Sequence, residues 1–237
     1  MNLLSTIVLS AALLIGGTSV HAQIEFGGKP YGTDHSNALP EAPVEVMPAV
    51  DAEALLAEDA LRLQESKQGP FRFGFNHAVD LGLINSGVWS TMSNGDRVWR
   101  LGIRCPEAYS INFVFDRYVV PEGAKVFVYN EADVVIGGFT AASNPGHTVL
   151  GVTQVPGERI TVEYVEPATV QGRAELHINQ VTHAYRDVVG SAPSLNESGS
   201  CNNNVICPEG DPWRNQIRSV AMITVGGSGF CTGQLIN

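Results

Sequence analysis

Val88-Trp89-Ser90-Thr91-Met92-Ser93-Asn94-Gly95-Asp96-Arg97-Val98-Trp99-Arg100-Leu101-Gly102-Ile103 sets the period for most of this chain. Two alternating runs flank Asn94-Gly95. An Asn-Gly pair in that setting is the strongest short-range hairpin signal, because both residues tolerate a positive φ. In the second run Trp99, Leu101, Ile103 and Cys105 point one way, and Arg100 and Arg104 the other. One face is therefore buried and one wet. With Asn94 and Gly95 at the centre of the turn, Ser90 faces Trp99 and Trp89 faces Arg100. That register puts Trp99 in the core and Trp89 on the wet face, stacked on Arg100. Cys105 reads as a buried free thiol, acting as a small hydrophobe.

Downstream, strands are expected at 109–115, 125–129, 134–138, 149–153, 159–165 and 174–181. Turn residues separate them: Pro121-Glu122-Gly123, Asn130-Glu131-Ala132-Asp133, Asn144-Pro145-Gly146 and Pro156-Gly157-Glu158. Short strands at regular spacing indicate a mainly β fold, a β-sandwich. Upstream the period is 3.6. Asp51 is an N-cap, Glu53 lies in the first turn, and Leu55, Leu56, Ala60 and Leu63 recur at helical spacing until Gly69-Pro70. Residues 23–50 hold Pro30, Pro40, Pro43 and Pro48, which block helix and ladder alike and leave an extended lead-in. Residues 1–22 have the form of a signal peptide, although Met1-Asn2 carries no Lys or Arg. Its apolar core is too short to span a bilayer, and Val20-His21-Ala22 offers small residues for cleavage between Ala22 and Gln23. Export to the periplasm or medium follows, with no membrane partner once the signal is removed.

The net charge of −10 argues against nucleic acid as a partner, since phosphates demand clustered Lys and Arg. Past residue 186 the strand pattern stops. Gly190, Ser191, Pro193, Ser194, Ser198, Gly199 and Ser200 give residues 187–200 the composition of a cleavable linker. Beyond it come Ser198-Gly199-Ser200-Cys201-Asn202-Asn203-Asn204-Val205-Ile206-Cys207-Pro208-Glu209-Gly210-Asp211 and Gly229-Phe230-Cys231-Thr232-Gly233-Gln234-Leu235-Ile236-Asn237.

These two stretches resemble the opening of a secreted chymotrypsin-like serine protease, most closely the lysyl endopeptidases. Ala108-x-Ser110-Ile111-Asn112-Phe113, the run Val120 to Asn130, Gly157 to Tyr164 and Val181 to Arg186 are similar to the prosegment ahead of such bacterial proteases. The resemblance implies a zymogen. Residues 51–186 would form a helix plus β-sandwich pro-domain, 187–200 the maturation linker, and 201–237 the first strands of an incomplete trypsin-like barrel. The pro-domain would aid folding of its own protease domain and hold it inactive. The full-length enzyme would act on protein substrates. Cys201, Cys207 and Cys231 would pair with cysteines beyond residue 237, with a Cys201–Cys207 bridge as the fallback, and the catalytic His would follow Cys-Thr-Gly-x-Leu-Ile. A Lys-directed enzyme that matured itself would need a Lys before its new terminus, and none lies after Lys125. Arg186 is the nearest basic residue upstream.

Serine acyl transfer needs a nucleophile, a His base and an orienting carboxylate that converge. None of His35, His77, His147, His177 and His183 sits in an Ala-His-Cys context, and no Gly-x-Ser-x-Gly elbow occurs. No catalytic residue is therefore assigned within these 237 residues. Ser228, in Gly226-Gly227-Ser228-Gly229, reads as a turn serine. His177 and His183 lie an even number of residues apart on one strand and are expected to share its polar face. A metal would need a third ligand from elsewhere, and no motif asks for a metal or other cofactor. The alternative is a free-standing secreted sandwich that binds carbohydrate or protein, with Trp89 as its platform.

Overall fold

The computed structural model describes residues 25–34, 36, 39–65, 69–188 and 207–234. The signal cleavage pair Ala22 and Gln23, His35, most of the linker, Cys201, Leu235 and Ile236 lie outside them. The fold is mainly β. In chain order the elements are β1 (Val44–Val46), α1 (Ala52–Glu65), β2 (Phe71–Arg72), β3 (Gly74–Gly82), β4 (Val88–Thr91), β5 (Arg97–Arg104), β6 (Ser110–Val119), β7 (Lys125–Asn130), β8 (Val135–Phe139), β9 (Leu150–Pro156), β10 (Arg159–Glu166), β11 (Glu175–Ala184), α2 (Arg214–Ser219), β12 (Val220–Val225) and β13 (Gly229–Gln234).

Two sheets make the sandwich. One runs β1-β5-β10-β7-β8, with β4 sharing the β1 side of β5, and the other runs β3-β11-β6-β9. Trp99, Leu101, Ile103, Ile160, Val162, Tyr164, Val126 and Val128 of the first face Ile111, Phe113, Phe115, Ile178, Val181 and Val152 of the second. Each is almost wholly buried. A fully buried side chain of this size contributes about 1.5–3 kcal/mol, so this double layer dominates the stability. Cys105 is buried at its margin, as expected, and burial pushes its thiol up to about 12.

The opening hairpin forms with a register one residue away from that expected. Met92 N–H donates to Asp96 O, and Gly95 N–H to Met92 O, so the loop is Ser93-Asn94-Gly95 with Gly95 at φ +88°. Three residues, not two, sit in the turn, and the last takes the left-handed conformation. Trp89 therefore pairs with Trp99, not Arg100. It leaves the wet face, packs edge-on against Tyr164 at 6.0 Å and lies under the guanidinium of Arg97 at 4.6 Å. Arg100 is itself buried.

What buries Arg100 is the lead-in. Its extended chain crosses the outer face of the larger sheet, and Arg100 donates to Pro40 O. Glu163, wholly buried, accepts from Tyr31 N–H at 2.6 Å, Gly32 N–H at 2.8 Å and Tyr129 O–H at 3.1 Å. The strap ends as β1, parallel to β5, which corrects the expectation that its prolines bar a ladder: Pro43 lies just before the strand and joins it through its carbonyl, accepting from Gly102 N–H at 2.8 Å. Asp51 caps α1 as expected, accepting from Ala54 N–H at 2.9 Å. The face that α1 buries differs from the apolar one: Leu56, Leu61 and Leu63 are exposed, and Asp59 is buried. A charged partner set, described below, outweighs the leucine periodicity.

Candidate docking site for the β12–β13 hairpin

β11 carries the residues that define the site. It pairs with β3 and β6, but the register slips between Ile178 and Gln180: against β6 Asn179 is an extra residue, whereas against β3 Val79 and Asp80 lie opposite it. A bulge reverses the alternation. Before it, Leu176 and Ile178 point inward and His177 outward. After it, Val181 and His183 point inward, and Gln180 and Thr182 outward. His177 and His183 thus lie on opposite faces, which corrects the expectation that they share one.

His177 bridges Asp116 through Nδ1 at 2.6 Å and Asp80 through Nε2 at 2.7 Å. Hydrogen bonds to Asp80, then Asp116, raise its pKa above 6.5. His183 is buried 6.3 Å from the His77 ring. Burial lowers both, and His77 lowers His183 further. His147 is exposed in a turn. These histidines do not converge on a serine.

The outward row after the bulge does converge on something. Thr182 lies between Asn76 on β3 and Asn112 on β6, each its direct register partner. Thr182 O–H donates to Asn76 Oδ1 at 2.9 Å, which turns the Asn76 amide N–H₂ outward. Asn76 Nδ2 then donates to Gly226 O at 2.8 Å, Gln180 Nε2 to the same oxygen at 3.3 Å, and Asn112 Nδ2 to Gly227 O at 2.9 Å. Three side-chain amides from three strands hold two carbonyls of one turn. Ser228 O, the next carbonyl, accepts from Phe73 N–H at 2.8 Å and Gly74 N–H at 3.2 Å.

The captured turn joins β12 to β13, and β13 pairs with β2 through Gly229–Arg72 and Phe230–Phe71. Phe230 packs on Phe71 at 5.0 Å and on Phe73 at 6.2 Å. Gly227 is required here. Its φ is +83°, and a Cβ would lie 2.1 Å from Gln180 Nε2. A cleft of about 560 Å³ opens beside the turn, between Val114, Gly151 and Thr153 on the sheet and Met222 and Thr224 on β12. On β12, Val220, Met222, Ile223 and Val225 are exposed.

A second cluster anchors the same β2 from below. Asp59 accepts from Arg72 Nε at 2.8 Å, Tyr185 O–H at 2.7 Å and Arg186 at 3.2 Å. Burial alone would push its carboxyl up, but Tyr185, Arg186 and Arg72 hold it below 3.8. Cys207 and Cys231 form no disulfide among the described residues.

The class defined by these features is a two-sheet sandwich that grips a hairpin of its own carboxy-terminal segment. That segment has a recognisable relative: residues 195–237 match the family model for lysyl endopeptidase, C-terminal domain. The match relates the chain to lysyl endopeptidases through the part that contains the docked hairpin. No solved structure matches the chain. Sequence reasoning did not single out Asn76, Gln180 or Thr182. The signal available was Asn112 set between the core residues Ile111 and Phe113, an amide where a solvent-facing charge would serve equally well.

Proposed function

We propose that this chain is the amino-terminal part of an exported serine endopeptidase precursor, inactive by itself, in which residues 51–186 serve as folding aid and inhibitor of the protease domain that begins near Cys201. The observation that carries this reading is the grip of the amide row on the hairpin within the lysyl endopeptidase-like segment. A β-barrel protease has many non-local strand pairings and folds slowly. Holding its first hairpin in register on a rigid sheet removes part of that search, and the tether supplies a high effective concentration. The exposed apolar side chains of β12 are those that further barrel strands would cover. With no Lys after Lys125, either another protease makes the first maturation cut or the enzyme's specificity is not Lys-directed.

The alternative of a free-standing sandwich that binds carbohydrate or protein loses its platform, because Trp89 is half-buried and packs against the core. The test is to add the purified chain to a lysyl endopeptidase during refolding and, separately, to the native enzyme. Faster recovery of lysyl-ester hydrolysis and slower steady-state hydrolysis are expected. No effect on either at micromolar chain overturns the reading.

A further inference from the structure

We infer that the Arg186–Asp187 peptide bond is a latched proteolysis site for an arginine-directed endopeptidase, and that docking of the β12–β13 hairpin keeps the latch shut. No Lys or Arg occurs between Arg186 and Arg214. A protease that reads basic residues can therefore separate the sandwich from the whole of the lysyl endopeptidase-like segment only after Arg186. Cleavage adds water across the C–N bond, leaving a carboxylate on Arg186 and a free amine on Asp187.

The bond is out of reach in the closed structure. Endopeptidases take substrate as an extended strand, with several residues on each side of the bond freed to pair with the enzyme. Here Tyr185 and Arg186 N–H groups both donate to Phe73 O at 3.1 Å, and Tyr109 N–H donates to Ala184 O at 3.0 Å. The guanidinium that must enter a specificity pocket is paired with Asp59 at 3.2 Å and lies over the rings of Phe71 at 5.0 Å and Tyr185 at 5.7 Å. Asp187 is buried.

The latch and the docking site share one short strand. Phe73 gives its N–H to Ser228 of the turn and its carbonyl to Tyr185 and Arg186. Phe71 packs on Phe230 on one side and under Arg186 on the other. Arg72, between them, binds Asp59, the same carboxylate that holds Arg186. Releasing the hairpin removes the support of Phe71 and Phe73, and with it the wall against which Arg186 is held. A cut is thus blocked while the first hairpin stays docked, and permitted once it leaves. Its meaning for maturation rests on the precursor reading; the latch itself does not.

The experiment is timed digestion of the full chain with trypsin, reading each cut by mass spectrometry. Arg173, exposed in the turn before β11, is the internal reference. In the unaltered chain the Arg173 cut is expected to run about a hundredfold ahead of the Arg186 cut, since the latter needs local opening. Asp59→Asn and Gly227→Val are each expected to speed the Arg186 cut about tenfold and leave Arg173 unchanged. Equal rates at Arg186 and Arg173 in the unaltered chain overturn the inference. So does acceleration at Arg186 only in step with the buried Arg100, which would mean that the whole sandwich opens. If the chain leaves lysyl endopeptidase refolding untouched but the digestion behaves as stated, the precursor reading fails and the latch stands.

Discussion

Glu163 shows how much one buried carboxylate can organise. Burial pushes its pKa up, while the Gly32, Tyr31 and Tyr129 donors and the nearby Arg100 pull it back. Glu163→Gln keeps the shape but turns an NH₂ toward a backbone N–H. One donor is then left unsatisfied, at a cost of about 1–3 kcal/mol. The expected result is a lower melting temperature and faster hydrogen exchange at Tyr31 and Gly32; unchanged exchange at both would refute it. The histidines predict a pH profile. His77 and His183 are lowered from 6.5, so their contribution is present above pH 6.5 and is lost as the pH falls from there through their folded values. His177 has the opposite sign: its contribution is full below pH 6.5 and is lost as the pH rises through its folded value. His183→Leu should flatten the acid limb of a melting-temperature profile and leave the alkaline limb alone. At this scale the sequence was legible for residues in unbroken strands, such as Trp99, Leu101 and Ile103. It misled at Trp89 and at the His177–His183 pair. A three-residue loop and a one-residue bulge each reverse side-chain parity, and neither has a distinctive composition.

Among the elements, the β12–β13 hairpin depends most on a single position. Gly227→Ala combines a disfavoured positive φ with a Cβ driven into Gln180. Strain of that kind costs about 1–3 kcal/mol. It should appear as faster exchange of the Phe73 and Gly74 amides, with no change in the amides of β5 and β10. If those two amides exchange as before, the turn does not carry the docking. The strands from β4 to β11 and α1 were visible in their periodicities, and the Asp51 cap in one residue; β1, β2, β3 and β12 were not. The pairing of β13 with β2 was not, because it joins segments far apart in sequence and depends on amides, not on an apolar stripe. The exposure of Leu56, Leu61 and Leu63 was equally hidden. Helical spacing locates a face but does not say whether anything covers it.

For the molecule as a whole, stability should be graded. The double layer of core side chains belongs to the two sheets of the sandwich, while the hairpin is joined by β2, two ring contacts and the amide row. Regions with fewer buried apolar contacts open at lower free energy. Amides at the centres of β5, β6, β10 and β11 are expected to exchange slowest and those of β12 fastest, with separate dependence on denaturant. A single exchange class for all of them would show that the hairpin is part of the cooperative unit.

The arrangement along β5 has a consequence for solubility. Its outer side is divided between two short strands: β4 covers Arg97–Arg100 and β1 covers Gly102–Arg104. Trimming the chain as far as Met47 would bare the second half and offer unpaired backbone groups to the same sheet of another molecule, a template for fibrous growth. The strap is in this sense a guard against aggregation, and light scattering of a trimmed chain should rise with concentration where that of the intact chain stays flat.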